Sequence, residues 1–338
     1  MYAGDSARPC ILAPGMKMNL PDGKTLPLIV EPDDDVAGAS ESSAEAFALS
    51  CVEEGDWLRE KLLECGALLL RGLPAATIES FARFVRLFGG REPLDYVGGA
   101  SPRVKLGGGV YTSTEYPEHY SLTLHNELSY TYRWPAHLFF CCVTAPTAGG
   151  GETPIADSRA LLRRLDPAVV SLFKSKKIEY ERNLSGDASS RYSWQAAFET
   201  TDGAAVEEYC REGGVSFRWG DDGGLRLREV RPATVAHPAT GEEVWFNQAD
   251  GFHPSALDAE TYRSIVSTAG EEGLRLNARF GDGSAIERAA LDHVREAARA
   301  EMVLVPWRAG DVLVLDNLLT AHGRMPFTGP RKILLAMT

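Results

Sequence analysis

Two histidines and a glutamate have the types and the spacing of a metal site. His125 and Glu127 form a His-x-Glu pair in the run Leu122-Thr-Leu-His-Asn-Glu-Leu128, and His322 lies far downstream. Residues two apart on an extended segment point to the same side, so His125 and Glu127 can contact one ion while a distant strand supplies a third ligand. Three protein ligands leave coordination positions of the ion open. An open site of this kind is typical of Fe(II) used in oxygen chemistry, whereas a structural zinc site is closed.

Two other interpretations of these three residues stay open at this point. A zinc hydrolase could use two histidines and a glutamate, with an activated water in the open position. The three residues could also be vestigial in a jelly-roll protein that only binds a ligand, because a fold does not fix a function.

Basic residues that follow His322 favour the oxygenase. Arg324 lies two residues after it, and Arg331 lies in the segment Gly329-Pro-Arg-Lys-Ile-Leu334, which continues as an apolar strand. A 2-oxo acid cosubstrate chelates iron through one end and leaves a carboxylate at the other. Arginine binds such a carboxylate through a planar fork of donors. A zinc hydrolase needs no cation of this kind.

Several blocks of the sequence, in this order, resemble the TauD/TfdA family of Fe(II)/2-oxoglutarate-dependent oxygenases. The nearest likeness is to its clavaminate synthase-like and SyrP-like branch, in which the carboxylate ligand is a glutamate. Besides the His125 motif, the blocks are Gly66–Gly72, Asp95–Ala100, Gly149–Pro154, Val244–Asn247, Pro306–Asp311 and His322–Arg331.

The resemblance implies the cofactors and the residues that hold them. Fe(II) is expected on His125, Glu127 and His322, with 2-oxoglutarate as cosubstrate and O2 as oxidant. Arg331 is expected to bind the far carboxylate of 2-oxoglutarate together with the Thr153 hydroxyl. The iron centre carries the chemistry, and no separate acid or base from the protein is expected.

Other residues are candidates for substrate contacts or for support of the site. Lys332 would take the role of Arg331 if the strand register differs by one residue, since neighbouring strand residues face opposite sides. Asp316 and Asn317 are expected to shape the loop that orients His322. The remaining candidates are Arg324, Asn126, Asn247 and Trp245.

The implied function is hydroxylation of an unactivated C–H bond in a small, amino-acid-like substrate. That substrate is free or tethered to a carrier protein, and the reaction belongs to specialised natural-product metabolism. The alternative within the family is oxidation of a small sulfonate or another organic acid, as in taurine-type members. A related halogenase is disfavoured because Glu127 occupies the position that a halide would need.

Composition agrees with a small-molecule enzyme. The 338 residues are 44% hydrophobic and carry a formal net charge of -12, which argues against nucleic acid and anionic membrane as partners. No signal sequence and no run of 18 apolar residues is present, so a cytoplasmic location is expected. The six cysteines lack metal-binding spacing and are predicted to be buried thiols.

The helices and strands predicted from the sequence indicate a mainly β fold with inserted and N-terminal helices. The family resemblance implies that the core of this fold is a distorted double-stranded β-helix, or jelly roll. Residues 1–50 are predicted to be an irregular N-terminal segment with a solvated linker at 38–44, and 51–338 a single oxygenase domain. Helices are predicted over Gly55–Cys65, from Thr77 to Gly89-Gly90 and over Ala285–Ala300, with two short helices or one bent helix around Asp166-Pro167. Strands are predicted at Ala67–Leu70, His137–Val143, Glu243–Phe246, Met302–Val305, Asp311–Leu315 and Lys332–Met337.

Overall fold

The computed structural model describes residues 16–33, 41–74, 77–147 and 149–338. Its strands are β1 (Met16–Asn19), β2 (Leu28–Pro32), β3 (Ala67–Leu70), β4 (Lys105–Gly107), β5 (Val110–Thr112), β6 (Leu122–His125), β7 (His137–Thr144), β8 (Ile155–Asp157), β9 (Ile178–Leu184), β10 (Ser216–Trp219), β11 (Leu225–Arg231), β12 (Thr234–Ala236), β13 (Glu243–Trp245), β14 (Leu276–Phe280), β15 (Val312–Asp316), β16 (Thr320–Arg324) and β17 (Lys332–Met337). Its helices are α1 (Glu41–Glu53), α2 (Gly55–Cys65), α3 (Ile78–Gly89), α4 (Ser158–Arg164), α5 (Pro167–Lys176), α6 (Trp194–Phe198), α7 (Gly203–Glu212), α8 (Ala249–Phe252), α9 (Ala259–Ala269) and α10 (Arg288–Glu301), with 3-10 turns at Pro254–Ala256 and Glu271–Gly273.

An eight-stranded sheet forms the larger half of the jelly roll, in the order β1-β2-β3-β15-β7-β17-β5-β4. Its central strands are apolar except at their ends, because both faces are covered. Side chains alternate between the faces: Phe139 and Cys141 of β7 face one core cluster, whereas Leu138 and Phe140 face another. Each face of the sheet therefore supports a separate layer.

Helices α1, α2 and α3 cover the outer face of this sheet, as the sequence predicted for the second and third of them. Helix α3 begins at its cap Thr77, whose hydroxyl accepts from the Ser80 amide, and ends at Gly90 in the left-handed conformation. Its buried side chains Phe81, Val85 and Phe88 recur at helical spacing and join the same core as Phe139.

The inner face of the large sheet looks toward a three-stranded sheet, in the order β6-β16-β8. Strand β16 is central and pairs antiparallel with both neighbours. Contact between the two sheets is direct, since the rings of Phe140 and His322 are 5.2 Å apart. This smaller sheet carries two of the three candidate ligands.

A four-stranded sheet, in the order β10-β11-β9-β14, is built from the long connection between β8 and β15. Its own apolar cluster includes Leu184, Phe198, Val206 and Leu227. A fully buried ion pair, Arg182 with Glu229 at 2.8 Å, links β9 and β11, and Arg182 also donates to the Gly98 carbonyl at 2.6 Å. The insertion is thereby tied to the segment that leads into Arg103.

Most predicted elements are confirmed, and two predictions are wrong. The described part of residues 1–50 is not irregular: β1, β2 and α1 lie there, because Val30 and Phe47 are buried against the large sheet and its helices. Most of the predicted 38–44 linker lies outside the described residues. The predicted strand Met302–Val305 is reduced to one bridge between Val303 and Ile155, and Pro306, which cannot donate to a ladder, follows it directly.

Asp166-Pro167 separates two helices, since Asp166 caps α5 and proline occupies its first turn. The described cysteines are all free thiols, and Cys51, Cys141, Cys142 and Cys210 are buried, whereas Cys65 is partly exposed and Cys10 lies outside the described residues. Among the described helices, none has both the length and the apolar composition needed to cross a membrane.

Candidate metal centre

Strand pairing brings the two candidate histidines together. His322 of β16 lies opposite His125 of β6, and their ring centroids are 4.4 Å apart. The residue after His322 is Gly323. A Cβ at this position would lie 2.5 Å from the Leu122 carbonyl oxygen, so only glycine fits. The close approach of the two strands thus depends on a residue without a Cβ.

Glu127 completes the cluster from a turn rather than from the strand. Strand β6 ends at His125, and the chain turns at once because Leu128 adopts φ of 56°. The expectation that His125 and Glu127 share one extended segment is therefore wrong, although both reach the same site. One ligand atom each from His125, Glu127 and His322 lies within 4.8 Å of the others.

The imidazole of His125 has a lone pair available for a metal. His125 Nδ1 is 2.8 Å from the Thr123 carbonyl oxygen and must carry a proton to donate to it, which leaves Nε2 unprotonated in the neutral ring. Burial and the neighbouring His322 lower the pKa of His125 to about 4. His125 is therefore neutral near pH 7, as a metal ligand must be.

Glu127 is held ionised by its surroundings. Burial alone would raise its pKa, but Arg103 and the two imidazoles lower it further than burial raises it, so the pKa lies below the ordinary value. Arg103 Nη2 donates to Oε2 at 2.7 Å, and the Tyr96 hydroxyl donates to Oε1 at 3.1 Å. His322 Nε2 lies 3.6 Å from Oε2.

Asp316 shapes the turn that leads to His322, as expected from the sequence. Its Oδ1 accepts from the amides of Leu318 and Leu319 at 2.9 and 3.0 Å. Its Oδ2 is 3.0 Å from His237 Nε2. Because His237 Nδ1 accepts from the Thr240 amide, Nε2 carries the proton and donates to Asp316.

Arg331, which directly precedes β17, is less exposed than Lys332, the first residue of that strand. Lys332 is exposed, whereas Arg331 is partly buried and donates from Nε to the Gly151 carbonyl at 2.8 Å and from Nη1 to Ser113 Oγ at 3.2 Å. Burial and the nearby Arg324 lower the pKa of Arg331 to about 10, so it remains charged at neutral pH. Its hydrogen-bond partners in the described chain are neutral, which leaves its charge for an anion.

Thr153 lies in the segment just before β8, two residues after Gly151. The carbonyl of Gly151 accepts a hydrogen bond from Arg331. The side chain of Thr153 is 6% exposed and it lines a small void with Trp307. Gly151 is required where it stands, because a Cβ would lie 2.8 Å from Pro146 Cγ and 3.0 Å from Arg331 Cδ. The role of Thr153 toward 2-oxoglutarate stays a prediction.

Arg324 secures a loop. Nη1 donates to the carbonyls of Thr114 and Tyr116, and Nη2 donates to those of Pro117 and Tyr120, at distances between 2.7 and 3.1 Å. Arg324 fixes the segment that enters β6.

The other three candidates also have structural partners. Asn126 donates to the Asn317 carbonyl at 2.7 Å and to Ser158 Oγ at 3.2 Å. Asn247 donates to the Ala233 carbonyl at 2.9 Å. Trp245 is 3% exposed and packs on Phe173 with ring centroids 5.3 Å apart, which is core packing.

Sequence reasoning missed Tyr96 and Arg103 as functional residues. Tyr96 lies in a block that carried the family resemblance, and Arg103 follows it closely. No spacing rule relates either residue to Glu127, which is 31 and 24 positions away. Their contact depends on the tertiary fold alone.

Comparison with known proteins agrees with this site. Residues 33–338 match the family described as taurine catabolism dioxygenase TauD, TfdA family. The dapdiamide synthesis protein DdaC of Enterobacter agglomerans is 38% identical over 279 residues, covering 82% of this chain and 83% of DdaC. The chain belongs to the TauD/TfdA family. A clavaminate synthase-like protein of Arabidopsis thaliana is 30% identical over 328 residues, covering 94% of each chain.

Solved structures share the TauD/TfdA fold with this chain. PvcB of Pseudomonas aeruginosa aligns with a TM-score of 0.55 at 18% identity, covering 100% of this chain and 94% of PvcB. An asparagine oxygenase solved with Fe(II), 2S,3S-3-hydroxyasparagine and succinate aligns with a TM-score of 0.54 at 16% identity, covering 92% of this chain and 93% of the oxygenase.

Family membership decides the class of enzyme. The chain is a 2-oxoglutarate-dependent dioxygenase that acts on a small molecule, and its cofactors are Fe(II), 2-oxoglutarate and O2. This excludes the zinc hydrolase and the non-enzymatic binding protein. The site fits the metal, because the imidazoles of His125 and His322 converge with the ionised carboxylate of Glu127, and His322 Nε2 faces that carboxylate.

Proposed function

We propose that this dioxygenase hydroxylates an unactivated C–H bond of a small, amino-acid-like substrate in a specialised biosynthetic pathway. The observation that carries the proposal is the convergence of His125, Glu127 and His322 within 4.8 Å. The relative DdaC is named for dapdiamide synthesis, and a solved oxygenase of the same fold holds a hydroxylated asparagine. Both support a substrate of this class, free or carried by a partner protein.

In this proposal His125 Nε2, His322 Nε2 and one oxygen of Glu127 hold the iron. When bound, Fe(II) and 2-oxoglutarate would supply the oxidising chemistry that inserts one oxygen atom of O2 into the C–H bond, with release of succinate and carbon dioxide. The protein supplies geometry and charge. Tyr96 and Arg103 fix the carboxylate of Glu127, while Thr123 fixes the ring of His125.

Arg331 is proposed to bind the far carboxylate of 2-oxoglutarate, with Thr153 beside it. A partly buried guanidinium with neutral partners attracts an anion strongly, because little water competes for its donors. Gly151 and Ser113 hold the guanidinium in one orientation. The chain thus fixes the cosubstrate at a point separate from its iron ligands.

The experiment measures succinate and product mass for a panel of candidate substrates. The protein is incubated with Fe(II), 2-oxoglutarate and O2, together with free amino acids, amino-acyl thioesters of a carrier protein, or taurine. At least one amino-acid compound should raise succinate above the uncoupled background and gain one oxygen atom. Turnover of taurine alone would replace the proposal with the sulfonate alternative, and a chlorinated product would refute hydroxylation.

A further inference from the structure

A cavity of about 180 Å³ lies beside the candidate metal centre. Its wall includes Tyr96 and Arg103, which both contact Glu127, so a single side chain separates the cavity from a proposed iron ligand. Arg191 and Arg275 also line it, and we call it the arginine cavity. Its volume is below the roughly 300 Å³ at which clefts for drug-sized ligands begin, so it suits a smaller molecule.

Two of the charges on this wall are already neutralised. Arg103 pairs with Glu127 at 2.7 Å, and both side chains are 3% exposed. Glu199 pairs with Lys105, also at 2.7 Å. These pairs leave Arg191 and Arg275 as the cations whose charge is available to a ligand.

Arg275 is held in place by neutral groups. It donates to the Ala100 carbonyl at 3.0 Å and to the Tyr116 hydroxyl at 3.1 Å, and it stacks on the Tyr192 ring at 4.5 Å. No carboxylate of the described residues pairs with it. Since a guanidinium has five N–H donors, these two bonds leave donors unused on a group that is already oriented.

Arg191 approaches the same cavity from the segment before α6. It donates to the Glu115 carbonyl at 3.2 Å, and within the described chain it has no acidic partner. The side chain of Glu115 is the remaining carboxylate of the lining. Two arginines and one glutamate therefore line a space of limited size, and Arg191 and Glu115 are also exposed to solvent.

We propose that the arginine cavity binds the carboxylate of a free amino-acid substrate, with Arg191 and Arg275 as its specificity-determining cations. This inference rests on the proposed function. Two guanidiniums match a carboxylate, and Glu115 offers a counter-charge to the α-ammonium group of the same molecule. An amino acid bound to a carrier as a thioester has lost this carboxylate, so the proposal selects the free amino acid.

The test compares acid with amide in binding at equilibrium. Protein with Fe(II) and 2-oxoglutarate is kept without oxygen, and its Tm is measured with each proteinogenic amino acid as the free acid and as the primary amide. At least one free acid should raise the Tm, and the matching amide should not. Arg191→Gln and Arg275→Gln should each weaken binding of that acid by about tenfold or more, because a charge-assisted bond is lost. The affinity for 2-oxoglutarate should not change.

Arg288→Gln is the matched control, because Arg288 lies on α10 with its side chain 74% exposed. It should bind the acid as the wild type does. Equal stabilisation by acid and amide, stabilisation by none of the acids, or unchanged affinity in both cavity variants would overturn the inference. Succinate assays separate the two proposals: if acid and amide are oxidised equally, only the carboxylate assignment fails, and if no amino-acid compound is oxidised, the proposed function fails.

Discussion

The side-chain amide of Asn317 holds the backbone of Glu127 at both of its polar groups. Asn317 Oδ1 accepts from the Glu127 amide at 2.7 Å, and Nδ2 donates to the Glu127 carbonyl at 3.0 Å and to the Pro135 carbonyl at 2.9 Å. Asn317 stands in the turn between β15 and β16, shortly before His322. One buried amide therefore fixes the turn that carries Glu127 to the strand that carries His322.

Replacing Asn317 by alanine should weaken both the fold and the metal site. The change leaves one buried amide and two buried carbonyls without a partner, at roughly 1–3 kcal/mol for each unsatisfied group. We expect the free energy of unfolding in urea to fall by at least about 2 kcal/mol. Because the ligand-bearing turn is freed, the Fe(II) dissociation constant from anaerobic calorimetry should rise by roughly tenfold or more.

Asn183→Ala provides the control for Asn317→Ala. Asn183 Nδ2 likewise donates to two backbone carbonyls, those of Glu272 and Leu274 at 2.9 and 2.6 Å, but it lies in the four-stranded sheet. This variant should lose stability and keep its Fe(II) affinity. A similar loss of Fe(II) affinity in both variants would show that general loosening, and not the clamp on Glu127, is responsible.

Removal of any of the three proposed ligands should abolish tight iron binding. The wild type is expected to hold one Fe(II) per chain, and His125→Ala, Glu127→Ala or His322→Ala should leave two protein ligands, too few to retain the ion. His119→Ala is the control, since His119 is exposed and stacks on Tyr120. Iron content and succinate release check the prediction, and full iron content in Glu127→Ala would require a different ligand set.

Local patterns were sufficient to predict several elements around the site, although β6 and β16, which carry the two histidines, were not among the predicted strands. The apolar spacing of Phe81, Val85 and Phe88 and the cap at Thr77 predicted α3, because helical period and capping are properties of neighbouring residues. The His-x-Glu spacing indicated two residues that the structure brings together with His322. It gave the wrong local conformation, since Leu128 turns the chain and Asn317 holds the turn.

The surroundings of the ligands could not be predicted in the same way. Arg103 and Tyr96 contact Glu127, and Arg275 lines the cavity beyond them, yet these residues come from separate loops and strands. Their positions depend on how the inserted sheet lies against the jelly roll. That packing is a tertiary property, and the identity of a single arginine in a loop carries no periodic signal.

Arg331→Ala should raise the dissociation constant for 2-oxoglutarate by at least about 100-fold, because one partner of a buried charge-assisted pair is removed. Fe(II) affinity without cosubstrate should change little. Lys332→Ala is the adjacent control and should bind 2-oxoglutarate normally, since Lys332 is exposed. Anaerobic titrations with 2-oxoglutarate measure the affinity of both variants. Normal binding in Arg331→Ala together with weakened binding in Lys332→Ala would show that Lys332 binds the cosubstrate carboxylate.

The glycine run before β8 offers a second test of the same cation. Gly151→Ala should weaken 2-oxoglutarate binding, because the new Cβ would lie 3.0 Å from Arg331 Cδ and displace its guanidinium. Gly149→Ala is the matched control. Gly149 has φ of 89° and Gly151 has φ of 74°, so alanine is strained at both positions, but nothing lies within 4 Å of a Cβ at position 149. Both variants should lose stability in urea, and only Gly151→Ala should lose affinity for the cosubstrate. Equal affinities in the two would mean that Gly151 does not position Arg331.

The last prediction concerns the buried pair of Arg103 with Glu127 in protein freed of metal. Arg103→Gln leaves the Glu127 charge buried without its guanidinium, which typically costs about 3–5 kcal/mol. In the wild type the pKa of Glu127 is lowered, so its contribution to stability is present above the ordinary value of 4.5 and is lost as the pH falls through the lower folded value. In the variant, burial is no longer opposed by Arg103, so the deficit in stability should be largest near neutral pH and should shrink as the pH falls toward 4.5.

Urea unfolding between neutral pH and pH 4.5 measures the loss of stability in Arg103→Gln. Added Fe(II) then shows whether that loss comes from the uncompensated charge of Glu127 or from the loss of an ordinary structural ion pair. Arg182→Gln breaks another buried arginine–glutamate pair, with Glu229 at 2.8 Å, and should lose stability to a similar extent at neutral pH. Added Fe(II) should restore much of the stability of Arg103→Gln, because the ion then supplies the positive charge that Glu127 has lost. It should stabilise Arg182→Gln no more than it stabilises the wild type. An equal gain from Fe(II) in both variants would mean that Arg103 is an ordinary structural ion pair and does not serve the metal-binding carboxylate.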